Sequence, residues 1–123
     1  MSLDILIVDD SAAIRKTLQR VLRQTDLPIG DMFEASDGDE ALAVLKERKP
    51  GLILTDINMP HKDGLELLAA VKADPSTKDI PVIMITTEGS QQRVMEALKL
   101  GAAGYLRKPC TADQIKEKIL GLV

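Results

Sequence analysis

The sequence predicts an α/β fold, a doubly wound parallel sheet of five strands flanked by five helices. Three observations carry that prediction. Short apolar runs alternate strictly with amphipathic stretches along the 123 residues. The connections between them are short and rich in turn residues. Five such units are too few to close an eight-stranded barrel, so an open sheet remains.

The runs that read as buried strands are Asp4–Val8, Asp31–Ala35, Gly51–Thr55, Val82–Thr86 and Gly104–Arg107. The second is the weakest, because Phe33 is its one large β-former. Helical spacing fills the gaps. Ser11 caps a first helix with Ile14, Leu18, Val21 and Leu22 on one face. Asp37 caps a second that carries Ala41, Leu42 and Leu45. A third starts at about Asp63 and presents Leu65, Leu68 and Ala69. A fourth runs from Ser90 through Val94, Ala97 and Leu98 to a stop at Gly101. The fifth opens with the capping box Thr111-x-x-Gln114 and buries Ile115, Ile119 and Leu122. Turns fall at Leu27-Pro28-Ile29-Gly30, Lys49-Pro50-Gly51 and Asp79-Ile80-Pro81. With no repeat, low-complexity tract or linker, residues 1–123 are expected to form a single domain without an effector domain.

Composition narrows the function classes. Apolar residues make up 45%, enough for a sizeable core, yet no apolar run reaches the ~18–20 residues of a membrane span. The N-terminus lacks the basic flank and small-residue cleavage site of a signal peptide, so a cytoplasmic protein is expected. Cys110 is the sole cysteine, which rules out an internal disulfide and a cysteine-based zinc cluster. A net charge of −3 gives no basic footprint for nucleic acid, and Phe33 and Tyr105 are too few aromatics to stack on bases or a flavin.

In doubly wound sheets, ligands bind outside the carboxyl ends of the strands, where strand order reverses. Asp9 and Asp10 follow the first strand, Asp56 the third and Lys108 the fifth, while Thr86 closes the fourth. Singly, each has a plain explanation: an Asp forms turns or caps, a Thr favours strands, a Lys is solvated. Jointly they do not. Carboxylates crowded together repel by roughly 1–4 kcal/mol per pair at ~4 Å, which nothing in folding rewards and a cation offsets. His61, the sole histidine, sits in a loop, so the donors are oxygens, and these suit Mg²⁺ or Mn²⁺. Lys108 offers a compact positive charge and Thr86 a hydroxyl to the same vacant position. That is an anion-transfer site, with phosphoryl the best candidate.

The fragments Asp9-Asp10-Ser11, Thr55-Asp56-Ile57-Asn58-Met59-Pro60, Asp63-Gly64, Ile85-Thr86-Thr87-Glu88 and Gly104-Tyr105-Leu106-Arg107-Lys108-Pro109 come in an order and spacing that resembles a CheY-like response-regulator receiver of two-component signalling. The resemblance implies a flavodoxin/CheY-like fold with strand order 2-1-3-4-5. It implies Asp56 as phosphoacceptor, with Mg²⁺ held by Asp10, Asp56 and the main-chain carbonyl of Asn58, and Asp9 on the metal's water. Lys108 and Thr86 would contact phosphoryl oxygens, and a cis Lys108-Pro109 bond would aim the lysine. The phosphoryl donor would be a histidine kinase or phosphotransfer protein, and the chain would be a phosphoacceptor switch rather than a true enzyme.

Thr86 and Tyr105 are the expected switch pair, with the fourth helix, fifth strand and fifth helix as the face shown to an output protein. The resemblance leaves several outputs open: a motor switch, a phosphorelay, a phosphate sink or kinase regulation. Neither nucleic acid nor membrane is an expected partner, and the chain is expected to be a monomer. Kinase specificity is expected around Ile14, Arg15 and Leu18 and the Lys108–Cys110 loop. Two departures stand out. Cys110 occupies a place where the family usually has Phe, and reads as a small buried hydrophobe rather than a redox thiol. Thr87 is bulkier than the family's common residue there and predicts a long-lived phosphorylated state. Among rival readings, a haloacid-dehalogenase-type phosphatase needs a second Asp where Asn58 stands, and a flavodoxin would not put Asp9 and Asp10 against a flavin phosphate. A constitutive interaction module with a vestigial site would not need the complete set of Asp9, Asp10, Asp56, Thr86 and Lys108.

Overall fold

The computed structural model describes residues 2–86 and 91–122. Its strands are β1 (Leu3–Val8), β2 (Ile29–Ala35), β3 (Leu52–Thr55), β4 (Val82–Thr86) and β5 (Gly104–Arg107). They pair in parallel as one sheet in the order β2-β1-β3-β4-β5. The helices are α1 (Ala12–Arg23), α2 (Gly38–Glu47), α3 (Gly64–Ala73), α4 (Gln91–Lys99) and α5 (Ala112–Leu120).

Because both sheet faces are covered, the central strands β3 and β4 are buried at every position rather than alternating, and are apolar up to their closing Thr55 and Thr86. Side chains on one face, among them Leu6, Val8, Ile53 and Met84, pack against α2, α3 and α4. Those on the other, among them Ile5, Ile7, Leu54 and Ile85, pack against α1 and α5 through Leu18, Leu22, Ile115 and Ile119. Caps set the helix starts as the sequence predicts. Ser11, Asp37 and Thr111 accept from the amides three residues on, and Thr111 with Gln114 closes the capping box.

The structure differs from the sequence reading in detail. β2 starts at Ile29, two residues early, because Ile29 pairs with Leu3 and the Asp31 amide is held by Asp4 Oδ1 at 2.8 Å. Asp63 and Glu66 form a second capping box on α3. On α3 Ala69 faces solvent while Leu67 and Val71 are buried, since the apolar stripe is set by residues 64, 65, 67, 68 and 71. Leu98 is exposed, and Ala97 is the buried contact of α4. Leu122 packs partly against the core from beyond the end of α5. Ser90, the expected start of the fourth helix, lies outside the described residues, as do Thr87 and Glu88. The helix stops before Gly101, whose φ of 104° suits glycine.

Gly64 fixes how closely α3 approaches β3. Its amide donates to the Ile57 carbonyl at 2.8 Å, and a Cβ there would lie 2.1 Å from the Asp56 carbonyl oxygen. That obstacle is main chain and cannot rotate away. Gly64→Ala is expected to lower unfolding stability by about 2 kcal/mol or more in urea denaturation, the range of forced overpacking. A variant of unchanged midpoint would mean the loop after β3 yields freely.

Candidate functional site

Strand order reverses between β1 and β3: the chain steps outward from β1 to β2, then returns past β1 to β3 and on to β5. The crevice at their carboxyl ends is where ligands of such sheets bind. Val8 and Thr55 are register partners, so the next residues, Asp9 and Asp56, leave the sheet side by side at the same height. Lys108 leaves β5, and Thr86 ends β4 with its carbonyl accepting the Lys108 amide at 3.0 Å.

Asp9, Asp10 and Asp56 each offer a carboxylate oxygen, all within 4.8 Å of one another. Lys108 Nζ reaches into this group, 2.5 Å from Asp9 Oδ2 and 3.4 Å from Asp56 Oδ2. Asp9 is 1% exposed, while Asp56 is partly exposed and Asp10 faces solvent. Buried acid, half-buried acid and solvent-facing acid thus line an opening from bottom to rim. Ile57 N–H donates to Asp56 Oδ1 at 2.8 Å, which leaves Oδ2 on the side of Lys108.

The electrostatics follow from the crowding. Burial pushes the Asp56 carboxyl above its ordinary value; the adjacent Lys108 ammonium opposes that, and the Asp9 charge adds to it. A second cation would relieve both the burial and the repulsion. Three carboxylates with an open side are a hard-oxygen donor set of the kind Mg²⁺ takes, so the residues present fit the metal the sequence predicts. Asp9, Asp10 and Asp56 are therefore brought together, with Asn58 two residues beyond Asp56 on the same loop. Asn58 Oδ1 accepts from Arg93 Nη2 at 3.4 Å, and Arg93 also pairs with Asp63.

Thr86 is buried at the site's edge. Tyr105 is register partner of Met84, two residues before Thr86, and so shares the sheet face of Thr86; the residue is 41% exposed. Lys108-Pro109 is cis, as the resemblance implied. Beside it an apolar groove of about 290 Å³ is lined by Ile14, Thr17, Leu18, Val21, Lys108, Pro109 and Cys110. Cys110 is partly buried there and its thiol is pushed up by burial, which agrees with an inert small hydrophobe.

Two supports of the site escaped the sequence reading. Gly64 signalled itself as part of an Asp-Gly pair but not as the point where α3 meets the Asp56 main chain. Arg15, expected on a docking surface, donates from Nη1 to the Asp9 carbonyl at 2.6 Å. A side-chain bond to the main chain six residues back leaves no periodic trace.

Residues 5–120 match the family model of the response regulator receiver domain. The chain belongs to this receiver family. It is 43% identical over 115 residues to the chemotaxis protein CheY of Pseudomonas aeruginosa, covering 94% of this chain and 91% of that one. Among solved structures it resembles the chemotaxis response regulator CheY4 of Vibrio cholerae, with a TM-score of 0.87, 31% identity and both chains fully covered. It also resembles the phosphorylated cyanobacterial phytochrome response regulator RcpA, with a TM-score of 0.82, 30% identity, and 99% and 91% of the two chains covered. Receivers of this family are signalling switches that accept a phosphoryl group. No described helix is long and apolar enough to cross a membrane.

The repulsion has a measurable consequence. With divalent cations removed by EDTA, Asp56→Asn is expected to be more stable to urea than wild type, by on the order of 1–3 kcal/mol. Mg²⁺ should raise the wild-type midpoint more than that of the variant. A wild type at least as stable as Asp56→Asn in EDTA would show that the cluster is not strained without a cation.

Proposed function

We propose that Asp56 accepts a phosphoryl group from a phosphohistidine on a histidine kinase or phosphotransfer protein, and that the charge it gains switches the α4–β5–α5 face toward an output protein. The observation that carries this reading is the half-buried Asp56 carboxylate, 3.4 Å from Lys108 Nζ, within an acidic cluster in the crevice between β1 and β3.

The chemistry is nucleophilic attack by a carboxylate. An Asp56 oxygen forms the new P–O bond while the donor's P–N bond breaks, its electron pair staying on the imidazole nitrogen. Lys108 meets the developing charge on the transferring oxygens as a point donor, and the Thr86 hydroxyl offers another hydrogen bond. Asp10, Asp56 and the Asn58 carbonyl would hold Mg²⁺, with Asp9 on its water, and the ion supplies neutralisation of charge on the transferring group. Water later cleaves the acyl phosphate and restores the Asp56 carboxylate. Because the phosphoryl group ends on the protein itself, the chain acts as a switch and not as an enzyme with turnover on a separate substrate.

The new group carries close to two negative charges and three acceptor oxygens. Moving a population from 1:99 to 99:1 takes about 5.5 kcal/mol. Hydrogen bonds to a charged group contribute roughly 1.5–3 kcal/mol each, so bonds from Thr86, Lys108 and loop amides are enough. Thr86 would move toward the phosphoryl and Tyr105, on the same sheet face, would fill the space it leaves. Met95, Leu98, Leu100 and Tyr105 are exposed on α4, after it, and on β5, which suits an apolar output contact. The donor is read as docking on α1 and the Lys108–Cys110 loop, where the apolar groove opens beside the site. The chain would work as a monomeric, cytoplasmic, single receiver domain.

The test is NMR with the phosphate mimic beryllofluoride and Mg²⁺. Wild type should show shifts in both the acidic cluster and the α4–β5–α5 residues. Thr86→Ala should keep the first set and lose most of the second, and Asp56→Asn should lose both. Shifts confined to the cluster in wild type would refute the switch, and shifts unchanged in Asp56→Asn would refute the acceptor.

A further inference from the structure

Asp9 is held from every side. Its amide donates to the Ala35 carbonyl at 3.1 Å, Oδ1 accepts from Ser11 N–H at 2.9 Å, and Oδ2 takes the Lys108 ammonium at 2.5 Å. The remaining group, the main-chain carbonyl, accepts from Arg15 Nη1 at 2.6 Å. Arg15 is itself anchored: Nε donates to Glu34 Oε1 at 2.9 Å, while Lys16 Nζ holds Glu34 Oε2 at 3.0 Å. Hydrogen bonds from Lys16 and Arg15 hold the Glu34 carboxyl down to about 2, so it is anionic at neutral pH. The Arg15 side chain is mostly buried, at 16% exposure.

We infer that Arg15 is a positioning residue for phosphoryl transfer: anchored on Glu34 of β2, its guanidinium fixes the Asp9 main chain and, through Asp9 Oδ2, aims the Lys108 ammonium at Asp56. This rests on the reading of Asp56 as phosphoacceptor. The clamp spans three elements. Glu34 precedes Ala35, the register partner of Val8, so β2 ends level with the start of the loop that carries Asp9 and Asp10. α1 supplies the link between them.

The task calls for arginine and not for charge alone. A guanidinium presents several donors in one rigid plane, and here two of them reach acceptors on different elements at once. A lysine is a single point donor. It can pair with Glu34 or with the Asp9 carbonyl, and the carboxylate wins. Arg15→Lys therefore keeps the ion pair to β2 and releases Asp9. Lys108 then has a partner whose position is no longer fixed.

α1 also borders the groove assigned to the donor, so a protein donor would not separate positioning from docking. A small donor does, since it has no surface to place on α1. Rates of Asp56 phosphorylation by acetyl phosphate at saturating Mg²⁺ should be compared for wild type, Arg15→Lys, Glu34→Gln, Lys108→Ala and the Arg15→Lys/Lys108→Ala pair. Mg²⁺ affinity by calorimetry and the urea midpoint in EDTA accompany each. Arg15→Lys is expected to stay folded, its midpoint lowered by no more than the one lost hydrogen bond, yet lose about 10-fold in rate, the size typical of losing a group that orients a site residue. Glu34→Gln should fall between the two. The double variant should be no slower than Lys108→Ala alone, because Arg15 acts through Lys108. Equal rates in Arg15→Lys and wild type, or additive losses in the double variant, would overturn the assignment while leaving Asp56 as acceptor. A wild type that takes up no phosphoryl group would remove the acceptor reading and the Arg15 assignment together.

Discussion

The acidic cluster between β1 and β3 is the constraint on which the rest of the molecule turns. Asp9, Asp10 and Asp56 bring carboxylate oxygens within 4.8 Å of one another at a place where burial already raises the cost of charge. One cation, Lys108, is delivered from β5 at the far side of the sheet. The surroundings keep the group from spreading apart. Ser11 and Ile57 amides hold one oxygen each, Gly64 lets α3 press on the Asp56 main chain, and Arg15 closes on Asp9 from α1. A folded chain gains nothing from such crowding, and a site for a cation and an anionic group gains specificity from it.

Topology explains why the cluster forms at all. Parallel strands put all their carboxyl ends on one edge of the sheet, and reversal of strand order between β1 and β3 keeps helices from closing over that edge. Residues separated by nearly the whole chain, Asp9 and Lys108, thereby meet at 2.5 Å. The same arrangement places Thr86 and Tyr105 on the sheet face that α4 covers. In the proposed switch, α1 and the Lys108–Cys110 loop meet the donor, while the output face wraps the β5 edge of the sheet from α4 on one side to α5 on the other.

Much of this was legible in the sequence because it is local. Alternating apolar runs reported the strands, Ser11, Asp37 and Thr111 reported their helix starts, and carboxylates directly after strands reported the site. The parts that were not legible are long-range. β2 begins at Ile29 because Leu3 and Asp4 recruit it, which its own composition does not reveal. Leu98 carries the apolar spacing of a buried residue, yet it faces solvent because α4 rests on the sheet through little more than Ala97. Arg15 is a surface-type residue on an amphipathic helix, and its bond to the Asp9 carbonyl depends on where the loop returns in space.

The most direct test of the account is the intact mass of the protein after incubation with acetyl phosphate, with Mg²⁺ or with EDTA, followed by borohydride reduction and peptide mapping. The account predicts the gain of one phosphoryl group with Mg²⁺, its absence with EDTA, and reduction of the acyl phosphate mapped to Asp56, with Asp56→Asn unmodified under every condition. An adduct of equal yield on Asp56→Asn, or no adduct on wild type with Mg²⁺, would contradict it.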